Sequence, residues 1–356
     1  MRTNNSRLRT HSNCPRKFYW TYIHGGTGIV GQWVDEKLAF GQLIHALLAD
    51  YYAERDWRNH LSTTAIAEAV PGHADLPNES WAYWDREIRD WAGRIMTEYE
   101  KWASVNDRFS VIQVECEGHT PLGSACHSCG HVGTFVIPDH RGLSCGECGA
   151  EWHELVFKLD LLINYDGSAT FMDHKTTSGI GPAYLEKWAY EPQMQGYTLG
   201  TRSVGHPARK FMMNFIRKLK TIGIAEDKTC PSCKNGAKKK EGCPTCAGVG
   251  RVAKPPVDVP FLQKPYIVVE EALARFEINR IRQCNDIAAQ LKVHPSQDPL
   301  ELWPMRTDAC FDYGRCPYIR LCYSGNPEFW YEPAEELTQT FVPRPKDYVM
   351  EREEES

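Results

Sequence analysis

The chain has 356 residues, 42% of them apolar, and a formal net charge of −5 at pH 7. That suffices to bury a sizeable core in one main domain with embellishments, and no apolar run approaches the roughly 18 residues of a membrane span. The start MRTNNSRLRTHSN has no signal-peptide core, so a cytosolic, reducing setting is expected, in which fourteen cysteines argue for metal and against disulfides.

In chain order, Cys14 comes first, alone within SNCPRKFYWTYI. A lone cysteine reads as a small buried hydrophobe until partners appear. Asp35 to Arg55 has a helical period that sets Leu38, Gly41, His45, Leu48 and Tyr52 on one stripe. His45 then faces inward beside Gly41, as a satisfied core histidine or as a ligand. Ser80 to Trp102 is a second amphipathic helix with a scaffold role. Ser110 to Glu117 alternates as a strand and carries Glu115. Cys126-x2-Cys129 and Cys145-x2-Cys148 follow, fifteen residues apart, each pair trailed by a glycine (Gly130, Gly149) that lets the knuckle turn. Four thiolates in two such knuckles fit a closed tetrahedral zinc site within an insertion.

Phe157 to Ser178 reads as two strands joined at Asp166-Gly167, a strong hairpin-turn signal. A two-residue turn there pairs Tyr165 with Ser168, which sets Asp160 opposite Asp173 and Lys158 opposite Lys175. Strict alternation puts these four on one face, with Val156, Leu162 and Phe171, and leaves Leu159, Leu161, Ile163, Thr170 and Met172 on the other. Opposed carboxylates repel unless a divalent cation sits between them; the other reading is a solvated face of mixed charge.

Pro192 is expected to open a helix that carries Gln193 and Tyr197 on one face. Phe211 to Arg217 is a short apolar strand. A second quartet follows, Cys230-x2-Cys233 and Cys243-x2-Cys246, nine residues apart, with Lys238, Lys239 and Lys240 between them. Its second knuckle resembles the CxxCxGxG half-repeat of DnaJ-type zinc modules, and a second zinc ion is expected. Glu270 to Lys292 is a long helix with Cys284 in its core. Cys310, Cys316 and Cys322 are evenly spaced by five residues, and three thiolates cannot close a four-ligand site. Cys116 and Cys284 lie inside regular elements, so Cys14 is the natural fourth partner of the trio, in a set that holds an iron–sulfur cluster or zinc.

Gly41-x3-His45-x2-Leu48, then Asp160, Asp173-x-Lys175 and Gln193-x3-Tyr197, with the Cys14 and C-terminal cysteine set, resemble the RecB/AddB-type branch of the PD-(D/E)XK nucleases. The resemblance covers about residues 14 to 325 outside the two insertions. It is similar to the iron–sulfur members of that branch, which include AddB, the CRISPR-adaptation exonucleases and compact phage-encoded relatives. Three places depart from the family pattern: Phe-Lys-Leu precedes Asp160, His174 sits inside the Asp-x-Lys, and the trio spacing is five and five.

The resemblance implies an α/β restriction-endonuclease-like fold, a mixed sheet flanked by helices, with two zinc-knuckle insertions and a C-terminal iron–sulfur clasp. It implies Mg²⁺ or Mn²⁺ on His45, Asp160, Asp173 and the main-chain carbonyl of His174, with Lys175 beside the attacking water. Gln193 and Tyr197 would steady the DNA, and Cys14, Cys310, Cys316 and Cys322 would hold a [4Fe–4S] cluster. The expected segments are 1–120 (helical part of the nuclease domain), 121–153 (zinc ribbon), 154–225 (core), 226–255 (second knuckle), 256–330 (cluster cysteines) and 331–356 (acidic tail). The expected activity is exonucleolytic hydrolysis of single-stranded or resected DNA in recombination or repair, with a recombination or helicase protein as a further partner and no membrane. The competing class is a non-catalytic zinc and iron–sulfur adaptor for nucleic acid.

Overall fold

Apolar strands from distant parts of the chain assemble one mixed sheet, and the helices that cover its two faces bring the site residues to one place. The computed structural model describes residues 1–31, 36–61, 78–123, 126, 128–131, 135–136, 144–150, 152–220, 222, 227–229, 231–233, 243, 251–253, 260–293, 298–312, 316–324 and 341–344. In order these form β1 (Arg2–Asn4), α1 (Asn5–Asn13), α2 (Pro15–Tyr22), β2 (Ile29–Gly31), α3 (Glu36–Tyr52), α4 (Asn78–Asn106) and β3 (Ser110–Pro121). Next come β4 (Phe135–Val136), β5 (Ser144–Cys145), β6 (Glu154–Tyr165), β7 (Ser168–Thr177), α5 (Pro182–Glu186), α6 (Pro192–Ser203) and β8 (Lys210–Arg217). The rest are β9 (Asp227–Thr229), β10 (Arg251–Ala253), β11 (Phe261–Ile267), α7 (Glu270–Leu291), α8 (Pro299–Leu302), α9 (Ile319–Ser324) and β12 (Phe341–Pro343).

The main sheet has the order β1-β6-β7-β8-β11, with β3 along the other edge of β6. β1 and β6 are parallel, as are β7 and β8, and the other pairings are antiparallel. One face carries α3 and α4, whose Phe40, Leu43, Ile44, Leu47, Ile95 and Tyr99 pack on Leu161, Ile163, Met172 and Met212. The other carries α1, α6 and α7, whose Leu8, Met194, Phe276 and Cys284 pack with Phe157, Leu159, Phe171 and Phe211. Pro192 opens α6 as expected, and Cys284 is fully buried in α7. Among the described residues no helix is long and apolar enough to cross a membrane.

Two details of the hairpin differ from strict alternation. Tyr165 pairs with Ser168, and the ladder runs out to Leu161 opposite Met172. There it stops, and further back along β6 Glu154, Leu155 and Val156 pair with β1. Lys158 therefore does not face Lys175: it is half-exposed and pairs with Glu115, Nζ to Oε1 2.8 Å. The faces also switch at Asp160. Leu161, Ile163 and Met172 lie under α3 and α4, but Leu159 joins the opposite cluster. Across the ladder Val114 pairs with Leu161 and Cys116 with Leu159, and Glu115 between them has φ 51. A left-handed non-glycine residue costs on the order of 1–3 kcal/mol and persists only where its surroundings impose it. Here it is the partner strand's answer to the turnover at Asp160.

α6 lies almost flush on β6. A Cβ on Gly200 would stand 2.3 Å from the Phe157 ring, and one on Gly196 would meet Asn5 at 2.3 Å and Leu155 at 2.9 Å. Alanine at position 200 is favoured by about 1 kcal/mol of helix propensity. Overpacking against a buried ring typically costs about 1–3 kcal/mol, and at this depth the ring must shift. Gly200→Ala is therefore expected to lower the denaturation midpoint and the activity together, because it displaces the helix that carries Gln193 and Tyr197. Chemical denaturation of the purified variant checks this, and an unchanged or raised midpoint would refute the close packing.

Candidate active site

Asp160, Asp173, Lys175 and His45 meet where β6 and β7 part. Freed from a ladder partner, Asp160 uses its carboxylate in place of main chain: the His174 N–H donates to Asp160 Oδ2 at 2.7 Å. Its other oxygen faces His45, with Nδ1 to Oδ1 3.2 Å. His45 sits at the border of the α3 stripe, beside the fully buried Ile44 and Leu48. The buried stripe is Phe40, Leu43, Ile44, Leu47 and Leu48, so the expectation for Leu38 fails: it is 63% exposed. Gly41 lets α3 approach β7, since a Cβ there would lie 3.3 Å from Thr176 Oγ1.

Asp173 is buried, and Lys175 Nζ lies 2.5 Å from its Oδ2. The same ammonium sits 5.5 Å from the Trp188 ring centroid. Tyr197 completes the wall, edge-on to Phe171, with Gln193 Nε2 donating to its hydroxyl at 2.7 Å. Thr177 Oγ1 donates to Gly179 O, so this hydroxyl serves the local turn. Glu115, paired with Lys158, is not part of the cluster.

His174 faces away from this group. Its Nδ1 meets Asn214 Nδ2 at 2.8 Å, its ring stacks on Tyr52, and Asn214 also donates to Tyr99. Tyr52 in turn bonds Tyr99 and Asp107. Burial pushes the His174 imidazole down to about 3, so the ring is neutral. This polar network under the strand was not visible in sequence, because its members come from α3, α4, β7 and β8. It leaves the His174 carbonyl, and not its ring, as the part that a metal site could use.

The electrostatics are those of two carboxylates crowded in a dry place. Burial raises both, but the charge and hydrogen bond of His45 hold Asp160 well below the usual carboxylate range. Burial and then the Asp160 charge outweigh Lys175, and Asp173 is pushed up to about 6. Burial lowers His45 and Lys175, yet the aspartates raise both. The donor set, two carboxylates and one imidazole, suits a hard divalent cation. Its charges meet in two ion pairs, His45 with Asp160 and Lys175 with Asp173. The donors are not drawn to ligand spacing: among the described residues only Cys126, Cys129, Cys145 and Cys148 bring ligand atoms within 4.8 Å of one another.

A pH dependence follows. A carboxyl raised from 3.8 to about 6 stabilises the fold below its unfolded value and loses that contribution as pH rises through 6. The raised His45 acts in the same direction at higher pH, whereas the lowered Asp160 matters only below pH 4. The Asp173 share corresponds to about 3 kcal/mol. In EDTA, the melting temperature of the wild type is expected to fall between pH 5 and 7.5 relative to that of Asp173→Asn. Parallel curves for the two proteins would contradict the raised carboxyl.

The first cysteine quartet closes as its spacing implied. Cys126 and Cys148 sulfurs are 3.7 Å apart and Cys129 and Cys145 3.6 Å, where a tetrahedral zinc with Zn–S of about 2.3 Å requires about 3.8 Å. Gly130 and Gly149 take positive φ, 74 and 67, and donate to Cys126 O and Cys145 O. Burial raises the Cys126 thiol, but main-chain N–H groups of Cys129 and Ser128 lower it, whereas the neighbouring thiols raise Cys129. In the second quartet Cys233 and Cys243 are buried, while Cys230 and Cys246 lie outside the described residues.

Cys14 joins α1 to α2, and its neighbours grip the C-terminal segment: Arg16 Nε donates to Trp303 O at 2.6 Å, and Arg306 to Ser12 O at 2.6 Å. Cys14, Cys310, Cys316 and Cys322 lie close enough to act on one another electrostatically: burial raises the Cys310, Cys316 and Cys322 thiols, and Cys14 raises each of the three further by its charge. Among the described residues they are not gathered to the spacing of a single ion.

A family model described as the PD-(D/E)XK nuclease superfamily matches residues 2–323. No curated protein matches the chain.

Proposed function

Because the chain belongs to the PD-(D/E)XK nuclease superfamily, we propose that it is a divalent-metal-dependent deoxyribonuclease of the RecB/AddB-type, iron–sulfur branch. In this reading it trims single-stranded or resected DNA ends in recombination or repair, in the cytoplasm. The observation that carries the reading is the buried Asp173, ion-paired to Lys175 at 2.5 Å and gathered with Asp160 and His45 where β6 and β7 part. Such a group is costly to keep for structure alone.

Mg²⁺ or Mn²⁺ would be held by Asp160, Asp173, His45 and the His174 carbonyl, where it would polarise the phosphodiester and acidify water. Lys175 orients the attacking water and offsets charge that develops on the phosphoryl oxygens. Asp173 is buried and the Lys175 side chain is 21% exposed, so little solvent competes with that attraction. Tyr197, held by Gln193, positions the strand beside the scissile phosphate. Cys14, Cys310, Cys316 and Cys322 hold a [4Fe–4S] cluster, and the two quartets hold structural zinc.

Linear and circular single-stranded DNA separate exonuclease from endonuclease. With Mg²⁺ or Mn²⁺, labelled linear strands are expected to be shortened from an end and a closed circle spared. Cleavage of the circle would make the enzyme an endonuclease. Tight binding without cleavage of either would favour the non-catalytic adaptor.

A further inference from the structure

Two clefts meet over α1, α6 and α7, one of about 900 Å³ and one of about 350 Å³, and both are lined by Ser12, Pro192 and Arg280. The smaller is also lined by Gln193, which bonds Tyr197. The smaller cleft therefore reaches the α6 side chain that holds Tyr197. Arg280 is 8% exposed, donates only to Gln283 through Nη1, and has no hydrogen-bond partner on Nε. No carboxylate of a described residue makes an ion pair with it, and burial lowers its pKa against the raising influence of Cys284 and Glu191. A buried guanidinium with no directly paired anion is expensive. Its surroundings do not discharge it: five arginines (9, 275, 280, 282 and 306) line the clefts against three carboxylates, Glu191, Glu271 and Asp286. Of these, Glu191 is paired with Arg9. In a chain of net charge −5 this is a local basic lane. Tyr190, 65% exposed, offers an aromatic ring beside it.

Resting on the nuclease reading above, we propose that this double cleft is the track of the DNA single strand. Arg280 binds a backbone phosphate other than the scissile one, and Tyr190 stacks a base. Arginine on phosphates with an aromatic ring on a base is the chemistry that holds single strands without reading sequence. Arg280 here is a binding residue.

Binding of fluorescent oligodeoxynucleotides in EDTA tests the track without any cleavage, so it stands or falls separately from the nuclease reading. For strands of twelve or more nucleotides, Arg280→Gln is expected to weaken binding about tenfold and to reduce the salt slope by about 0.7, one phosphate contact fewer. Arg275→Ala with Arg282→Ala, both exposed positions, provides a variant with little folding risk and should act in the same direction. A chromogenic thymidine phosphodiester, which offers fewer backbone phosphates, should lose less turnover in Arg280→Gln than the long strand loses. Unchanged affinity and slope in both variants would overturn the track. Equal loss on the short ester and the long strand would also overturn it, by placing Arg280 in the active site or the fold.

Discussion

Lys175→Ala is expected to lower DNA hydrolysis by about 10²–10³-fold, the range for removal of one preorganised donor to a developing negative charge. The reason is geometric. Lys175 is the cation against Asp173, one residue removed along β7 and on the same face, and it approaches Trp188 from the edge of the carboxylate pair. Lys175→Met, which keeps the aliphatic stem, should lose as much, because the charge matters and the packing does not. Asp173→Asn is expected to abolish activity while keeping the volume. Asp173→Ala should do the same but also destabilise, since it strands a buried ammonium, an error worth about 3–5 kcal/mol. Rates on labelled single strands, together with circular dichroism to verify the fold, decide this. Full activity in Lys175→Met or Asp173→Asn would remove these residues from the chemistry.

The second large effect belongs to the chain ends. Cys14→Ser is expected to bleach protein purified without oxygen, to remove about four irons per chain, and to lower the melting temperature. Ligation of Cys14 and Cys310 closes a loop of about 300 residues, a constraint on the order of 5 kcal/mol in the loop-closure treatment of a covalent link. The hydrogen bonds from Arg16 and Arg306 would remain, so the variant should fold and be soft, not absent. Cys284→Ser is the control: this thiol is buried within α7, away from the set, and pushed up to about 12 by burial. Its variant should keep the colour. A colourless wild type with a third zinc would replace the cluster with a zinc clasp, and a brown Cys14→Ser protein would mean that another residue is the fourth ligand.

Local chemistry made much of this legible in advance. Asp166-Gly167 sets the turn and register as far as Leu161, and Pro192 marks a helix start, because each acts on its own neighbours. CxxC with a following glycine sets a knuckle in the same way. What was not legible depends on contacts between distant segments. β1 joins β6 at Glu154, Leu155 and Val156, beyond the end of the β6–β7 ladder, and nothing in RTN announces a strand. The ladder ends at Leu161, Leu159 lies on the other face, and the Asp160 carboxylate accepts from the His174 N–H. Leu38 fell on the stripe by period, yet it is exposed. In the sequence Arg280 is one of several charged residues between Glu270 and Lys292, and only the packing of α7 shows it buried.

The most direct measurement is cleavage of one end-labelled single-stranded DNA by the wild type in Mg²⁺, in Mn²⁺ and in EDTA. Hydrolysis in either metal and none in EDTA is expected, with activity restored when metal is added back in excess. Cleavage that persists in EDTA, or no cleavage of any strand in either metal, would contradict a metal-dependent site on His45, Asp160 and Asp173.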